Sequence, residues 1–89
     1  MKKTVSISIS GRVQGVGFRY YTRKKAAECN INGFVQNQSD GSVYIEANGE
    51  SVDIDAFTDW CKQGPGWAKV KDCRINEIPY YKWNNFEIR

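Results

Sequence analysis

Histidine is absent from this chain of 89 residues, and with it goes a large part of enzyme chemistry. There is no Ser-His-Asp or Cys-His nucleophile pair, no imidazole general base and no His-ligated zinc. Leucine is missing too, so eight Ile and seven Val carry the aliphatic core, and these β-branched residues favour sheet. Cysteine is scarce and odd in number: Cys29, Cys61 and Cys73 stand 32 and 12 positions apart, with no C-x-x-C pair. That spacing offers neither a zinc knuckle nor a thioredoxin-type redox motif, and reads as three buried or half-buried thiols in a reducing compartment. No apolar run approaches the roughly 18 residues of a membrane helix. The start, Met1-Lys2-Lys3-Thr4-Val5-Ser6, alternates too soon for a signal peptide. A cytoplasmic protein without membrane contact is the expectation.

What is present fits one ordered domain spanning residues 1–89. The hydrophobic share is 40%, the aromatic share 13% and the net charge +3, too slight a charge and too rich a core for disorder. Thr4 to Ser10 alternates polar and apolar, as a half-buried strand does, and Gly11 is expected to end it. From Phe18 to Cys29 the spacing is helical, with Phe18, Thr22, Ala26 and Cys29 on one face. Ile31 to Asn37 and Ser42 to Asn48 flank Gln38-Ser39-Asp40-Gly41, where Asp-Gly marks a hairpin. A second helix is predicted from about Val52 to Gln63, capped by Ser51, with Asp53 and Asp55 in its first turn and Gly64-Pro65 as its stop. Trp67 to Asn76 reads as a strand whose apolar phase slips between Val70 and Cys73, implying a bulge. Glu77 to Asn85 reads as a loop and Phe86 to Ile88 as a short terminal strand. The order βαββαβ plus a final β points to an α+β, ferredoxin-like sandwich, with two helices on one face of a mainly antiparallel sheet.

One segment breaks the local rules. Gly11-Arg12-Val13-Gln14-Gly15-Val16-Gly17 has three glycines in seven positions and leads into a helix with no Ser, Thr, Asp or Asn to cap it. Arg19 then falls in the first turn, where the helix dipole disfavours a cation by about 0.3–1 kcal/mol. A bound anion removes both difficulties: it accepts from the free N–H groups and neutralises the guanidinium. Arg suits a phosphate because its planar fork donates two parallel hydrogen bonds. The segment is neither a Walker A loop nor G-x-G-x-x-G, since Tyr20 stands in place of the third Gly.

Gly11 to Arg19, nine consecutive positions, resembles the first signature of the acylphosphatase family. Gly33-Phe34-Val35-Gln36-Asn37, followed by Asp40-Gly41-Ser42-Val43, resembles its second, with Phe34 in place of the usual Trp and Gln36 in place of Lys or Arg. The resemblance implies hydrolysis of acyl phosphates to carboxylate and orthophosphate, and a free-standing enzyme, monomeric, is the expectation. It implies that Arg19 and the loop Gly11, Arg12, Val13, Gln14, Gly15, Val16 and Gly17 hold the phosphoryl group, while Asn37 holds the attacking water. A carboxamide orients water without deprotonating it, which suits a substrate whose leaving group departs easily. No cofactor or metal is expected, and Asp40 reads as a turn residue rather than a base.

Two other classes share these features. RNA-recognition modules have the same element order, and five Tyr with three Trp could stack bases. Yet Asn32-Gly33-Phe34-Val35 lacks the basic residue and further aromatics of such modules, so no nucleic-acid partner is expected. A non-catalytic anion sensor on the same scaffold would keep Arg19 without turnover.

Overall fold

A computed structural model describes residues 1–15 and 17–89. It runs β1 (Lys2–Arg12), α1 (Phe18–Glu28), β2 (Asn32–Asn37), β3 (Val43–Glu50), α2 (Ser51–Gln63), β4 (Lys69–Ile78) and β5 (Phe86–Ile88). The five strands lie in the order β4-β1-β3-β2-β5. Neighbours are antiparallel except β2 and β5, which run parallel in the register Gly33–Phe86, Phe34–Glu87, Val35–Ile88. α1 packs over β2 and β5, and α2 over β4, β1 and β3. This is the expected ferredoxin-like sandwich.

Period-two alternation fills the space between sheet and helices. Val5, Ile7 and Ile9 of β1, Val43, Ile45 and Ala47 of β3, and Val35 of β2 meet Phe18 and Ala26 of α1 and Ile54, Phe57 and Cys61 of α2. Burying Phe18 and Phe57 completely contributes about 1.5–3 kcal/mol each. The opposite phase of every strand, including Ser6, Ser8, Phe34, Tyr44 and Glu87, covers the face that no helix covers.

Four local expectations are corrected. β1 does not stop at Gly11 but continues to Arg12, with a register shift between Ser10 and Gly11 that leaves Lys71 as the extra residue of β4. The phase slip between Val70 and Cys73 is that bulge. Gly11, at φ 125°, is required there because a Cβ would lie 2.1 Å from the Lys69 oxygen. Ser51 does not cap α2: Glu50 is the N-cap, without a side-chain bond, and the Ser51 hydroxyl donates to the Met1 oxygen at 2.8 Å. Of the two aspartates only Asp53 lies in the first turn, whereas Asp55 faces Lys3 at 3.7 Å. β4 also extends two residues beyond Asn76, which shortens the following loop to residues 79–85.

That loop is tied to the sheet by buried polar groups. The Thr4 hydroxyl donates to the Tyr81 oxygen at 3.1 Å and accepts from the Tyr81 N–H at 2.9 Å and from Asn48 Nδ2 at 3.0 Å. Asn32 Nδ2 donates to the Trp83 oxygen at 3.1 Å. Each partner satisfies a group that would otherwise be buried at a cost.

Candidate active site

The glycine-rich loop enters α1 through Gly17, the N-cap, at φ 75° and without any side-chain cap bond. The first bond of the helix is Tyr21 N–H to Gly17 O at 3.1 Å, so the N–H groups of Phe18, Arg19 and Tyr20 precede the ladder. No acidic residue occupies that first turn. Among the described residues, then, no side chain caps or neutralises the positive end of the helix, where an anion is favoured.

β2 brings Asn37 to the same end. Asn37 shares the phase of buried Val35, so it lies on the helix side of the sheet, at the strand's last position opposite Val43. Between it and the start of α1 is a cavity of about 220 Å³ lined by Val13, Gly15, Gly17, Phe18, Arg19, Tyr20, Asn37 and Ile88. A hole of this size has room for a small polyatomic group, water taking about 30 Å³ in the liquid.

The structure thus gathers Val13, Gly15, Gly17, Arg19 and Asn37 around one cavity, and places three other expected loop residues outside its wall. Gly11 belongs to the bulge against β4, and Arg12 pairs in register with Lys69. Gln14 staples the loop to the hairpin, its Nε2 donating to the oxygens of Gln38 at 2.7 Å and Ser42 at 2.9 Å. Val16 lies outside the described residues.

Besides Phe18 and Tyr20, which flank Arg19 in the chain and line the cavity with it, two distant contributors escape sequence reading. Ile88 closes one side of the cavity from β5. The Arg19 guanidinium donates through NH1 to the main-chain oxygen of Arg89 at 2.9 Å, across 70 positions of sequence. The signal for the first was the apolar Phe86 and Ile88 pair; for the second there was none, because it depends on which strand β5 joins.

Asp40 is bound into its turn instead of facing the cavity. Its Oδ1 accepts from the Ser42 hydroxyl at 2.6 Å and the Ser42 N–H at 2.9 Å, and these bonds hold its carboxyl below the usual range. It borders a separate hollow with Asp72 and Arg74. The cavity beside Arg19 therefore contains no carboxylate and no imidazole among its described lining residues. Among the described residues no three of His, Cys, Asp and Glu converge as metal ligands, and no helix is long and apolar enough to cross a membrane.

Comparison with known proteins follows the same line. Residues 5–88 match the family model described as Acylphosphatase. A curated relative from Mannheimia succiniciproducens, named Acylphosphatase, is 51% identical over 80 residues, 90% of this chain and 87% of that one. An acylphosphatase structure from Coxiella burnetii superposes with a TM-score of 0.95 at 38% identity, covering 99% of this chain and 93% of its own. The crystal structure of acylphosphatase from Bacillus subtilis gives 0.93 at 34% identity, with 100% and 99% covered.

Proposed function

The chain belongs to the acylphosphatase family and is an acylphosphatase, and from that premise we propose how its residues carry the reaction. The phosphoryl group of an acyl phosphate sits against the open N-terminus of α1, its oxygens accepting from main-chain N–H groups of the loop and from Arg19. Asn37 presents a water to phosphorus on the side away from the acyl oxygen. The observation that carries this reading is the single cavity shared by Gly17, Arg19 and Asn37.

Water attacks phosphorus, the bond from phosphorus to the acyl oxygen breaks, and the electron pair leaves on the carboxylate. One water proton passes to a phosphoryl oxygen and the other stays on the new hydroxyl, giving dihydrogen phosphate. No protein base is needed, because a carboxylate leaves readily and the transition state is loose. The protein's contribution is positioning and charge stabilisation. The N–H groups and the guanidinium are fixed before substrate arrives, so they need little reorganisation as charge redistributes. The reaction as drawn uses no metal, and the rate in EDTA should equal that in buffer.

The deciding experiment is hydrolysis of benzoyl phosphate followed by absorbance, with inorganic phosphate as inhibitor. Wild type should turn over with competitive inhibition by phosphate, and Arg19→Ala should lose both. An Arg19→Ala protein that still hydrolyses the substrate normally removes the guanidinium from the mechanism. Binding of phosphate without turnover by wild type would favour the anion-sensor reading.

A further inference from the structure

An acyl phosphate has two ends, and the cavity beside Arg19 accounts for one of them. With the attacking water on Asn37, in-line displacement sends the acyl oxygen out on the opposite side. The sheet order fixes which side that is. At this end of the molecule β2 carries Asn37 to one side of β1, while β4 begins on the other, Lys69 pairing with Arg12. The glycine-rich loop leaves β1 between them. The acyl group is therefore directed toward the start of β4 and the flank of α1 that faces α2.

That flank is aromatic. Tyr21 follows Arg19 by two positions, about 200° round a helix of 3.6 residues per turn, so the two side chains leave α1 on opposite flanks. The Tyr21 ring lies against the helix entry, where a Cβ on Gly17 would stand 3.5 Å from its Cε2. It meets two rings edge to face: Tyr20, which lines the cavity, at 5.2 Å between centroids, and Trp67 at 5.6 Å. The three form a row from the cavity wall to the turn before β4. Beyond Tyr21 the row borders a hollow of about 330 Å³, lined also by Trp60, Pro65 and Lys24.

The turn that carries Trp67 is anchored to the helix entry. Ala68 N–H donates to the Pro65 oxygen at 2.9 Å, which closes a turn with Gly66 and Trp67 at its centre. After the turn, Ala68 and Val70 pack on the core. Before it, Gly64 comes so close to Phe18, the first residue of α1, that a Cβ would stand 3.0 Å from the ring. Trp67 nevertheless remains 57% exposed. One exposed Trp carries no message by itself. This one stands on a fixed turn, in a row with two other rings, on the side to which the leaving group departs.

We propose that Tyr21 and Trp67 are the acyl-binding surface of this enzyme, and that it prefers acyl phosphates whose acyl group is apolar and of ring size. Both assignments rest on the reading that Arg19 holds the phosphoryl group and Asn37 the water. An apolar acyl group laid against these rings leaves water and gains ring contact. The rings touch no reacting atom, so the gain is equal for bound substrate and transition state, and it lowers KM without raising kcat.

Benzoyl, butyryl and acetyl phosphate share the reacting bond and differ only in the group that meets the rings. In wild type KM should fall from acetyl to butyryl to benzoyl phosphate, and equal values for the three overturn the proposal without any variant. Trp67→Ala, Trp67→Phe, Tyr21→Leu and Arg19→Ala are then compared in the full chain, with Tm and the inhibition constant of inorganic phosphate measured beside kcat and KM. Trp67→Ala should lower the ratio of kcat/KM for benzoyl over acetyl phosphate about two- to tenfold, the range an aromatic pair contributes. The change should lie in KM, and inhibition by phosphate, which has no acyl group, should match wild type. Tyr21→Leu should lower the same ratio, and Trp67→Phe should keep most of it.

An unchanged ratio in folded Trp67→Ala, with Arg19→Ala defective toward both substrates, overturns the acyl surface and leaves the phosphoryl site standing. Normal turnover by Arg19→Ala overturns both. Equal losses for the two substrates in Trp67→Ala, or weaker inhibition by phosphate, would make the indole a support for the helix entry and end the proposal. A fall in the ratio carried by kcat alone ends it too, because the ring would then act on the reaction and not on the acyl group.

Discussion

Arg19 and Asn37 border one cavity but are assigned different tasks, and substitution separates them. Arg19→Lys keeps the charge and discards the planar fork, so kcat/KM for benzoyl phosphate should fall about a hundredfold or more, some 2.7 kcal/mol of transition-state stabilisation. Near-normal turnover by that variant would mean that charge alone suffices. Asn37→Ala should leave competitive inhibition by phosphate almost intact while kcat drops, because the carboxamide is assigned to the water and not to the anion. Loss of phosphate binding in a folded Asn37→Ala protein would assign that side chain to the anion instead. Phe34 and Gln36, where the family pattern is broken, fall in the opposite phase of β2 from Asn37, and neither lines the cavity. Their side chains therefore bear on the site only through intermediaries.

At the scale of the element, the entry to α1 is the feature to test. Gly17 sits at φ 75°, and a Cβ there would meet only the Tyr21 ring at 3.5 Å, an ordinary contact. Gly17→Ala should thus cost chiefly the left-handed backbone strain, about 1–2 kcal/mol. That is a fall in Tm of several degrees, at about 4–8 °C per kcal/mol for a small domain. Phosphate inhibition should weaken in the same variant, because relief of the strain moves the N–H groups aimed at the anion. A large loss of Tm with unchanged phosphate inhibition would show that the helix entry does not shape the site. Features set by local period were legible in the sequence: the Phe18, Thr22, Ala26 face of α1 and the Val70–Cys73 slip that became the bulge. Features set by a distant partner were not. Ser51 is a good cap by type, but its hydroxyl finds the Met1 oxygen 50 positions away. Gly11 reads as a strand breaker, yet it continues β1 because Lys69 crowds the place of its side chain. The Arg19–Arg89 bond needed the parallel docking of β5, which no local pattern specifies.

Across the whole molecule, the core dictates how stability responds to alkali. Cys61 is fully buried between α2 and the sheet, and burial pushes its thiol well above the ordinary range, with Cys73 and Cys29 raising it further. Burial also raises Cys29 and Cys73, to a smaller extent. In the unfolded chain each thiol titrates near about 8.5. Above that pH the unfolded state loses protons that the native state keeps, so stability falls as pH rises, by up to about 1.4 kcal/mol per pH unit for the fully buried Cys61 and by less for the part-exposed Cys29 and Cys73. Tyr44 adds the same sign at higher pH: burial and the hydrogen bond to Glu46 push its phenol up to about 12, so its contribution is lost above the usual tyrosine range. Under reducing conditions the urea midpoint should be level from about pH 6 to 8 and fall steadily from about 8.5 to 10. Cys61→Ala should be less stable throughout, because it leaves a small cavity, but its midpoint should fall less steeply in that alkaline window by the share of one thiol. A Cys61→Ala slope equal to that of wild type would mean that the buried thiol is not what the core keeps protonated, and that the alkaline loss arises from Cys29, Cys73 or Tyr44 instead.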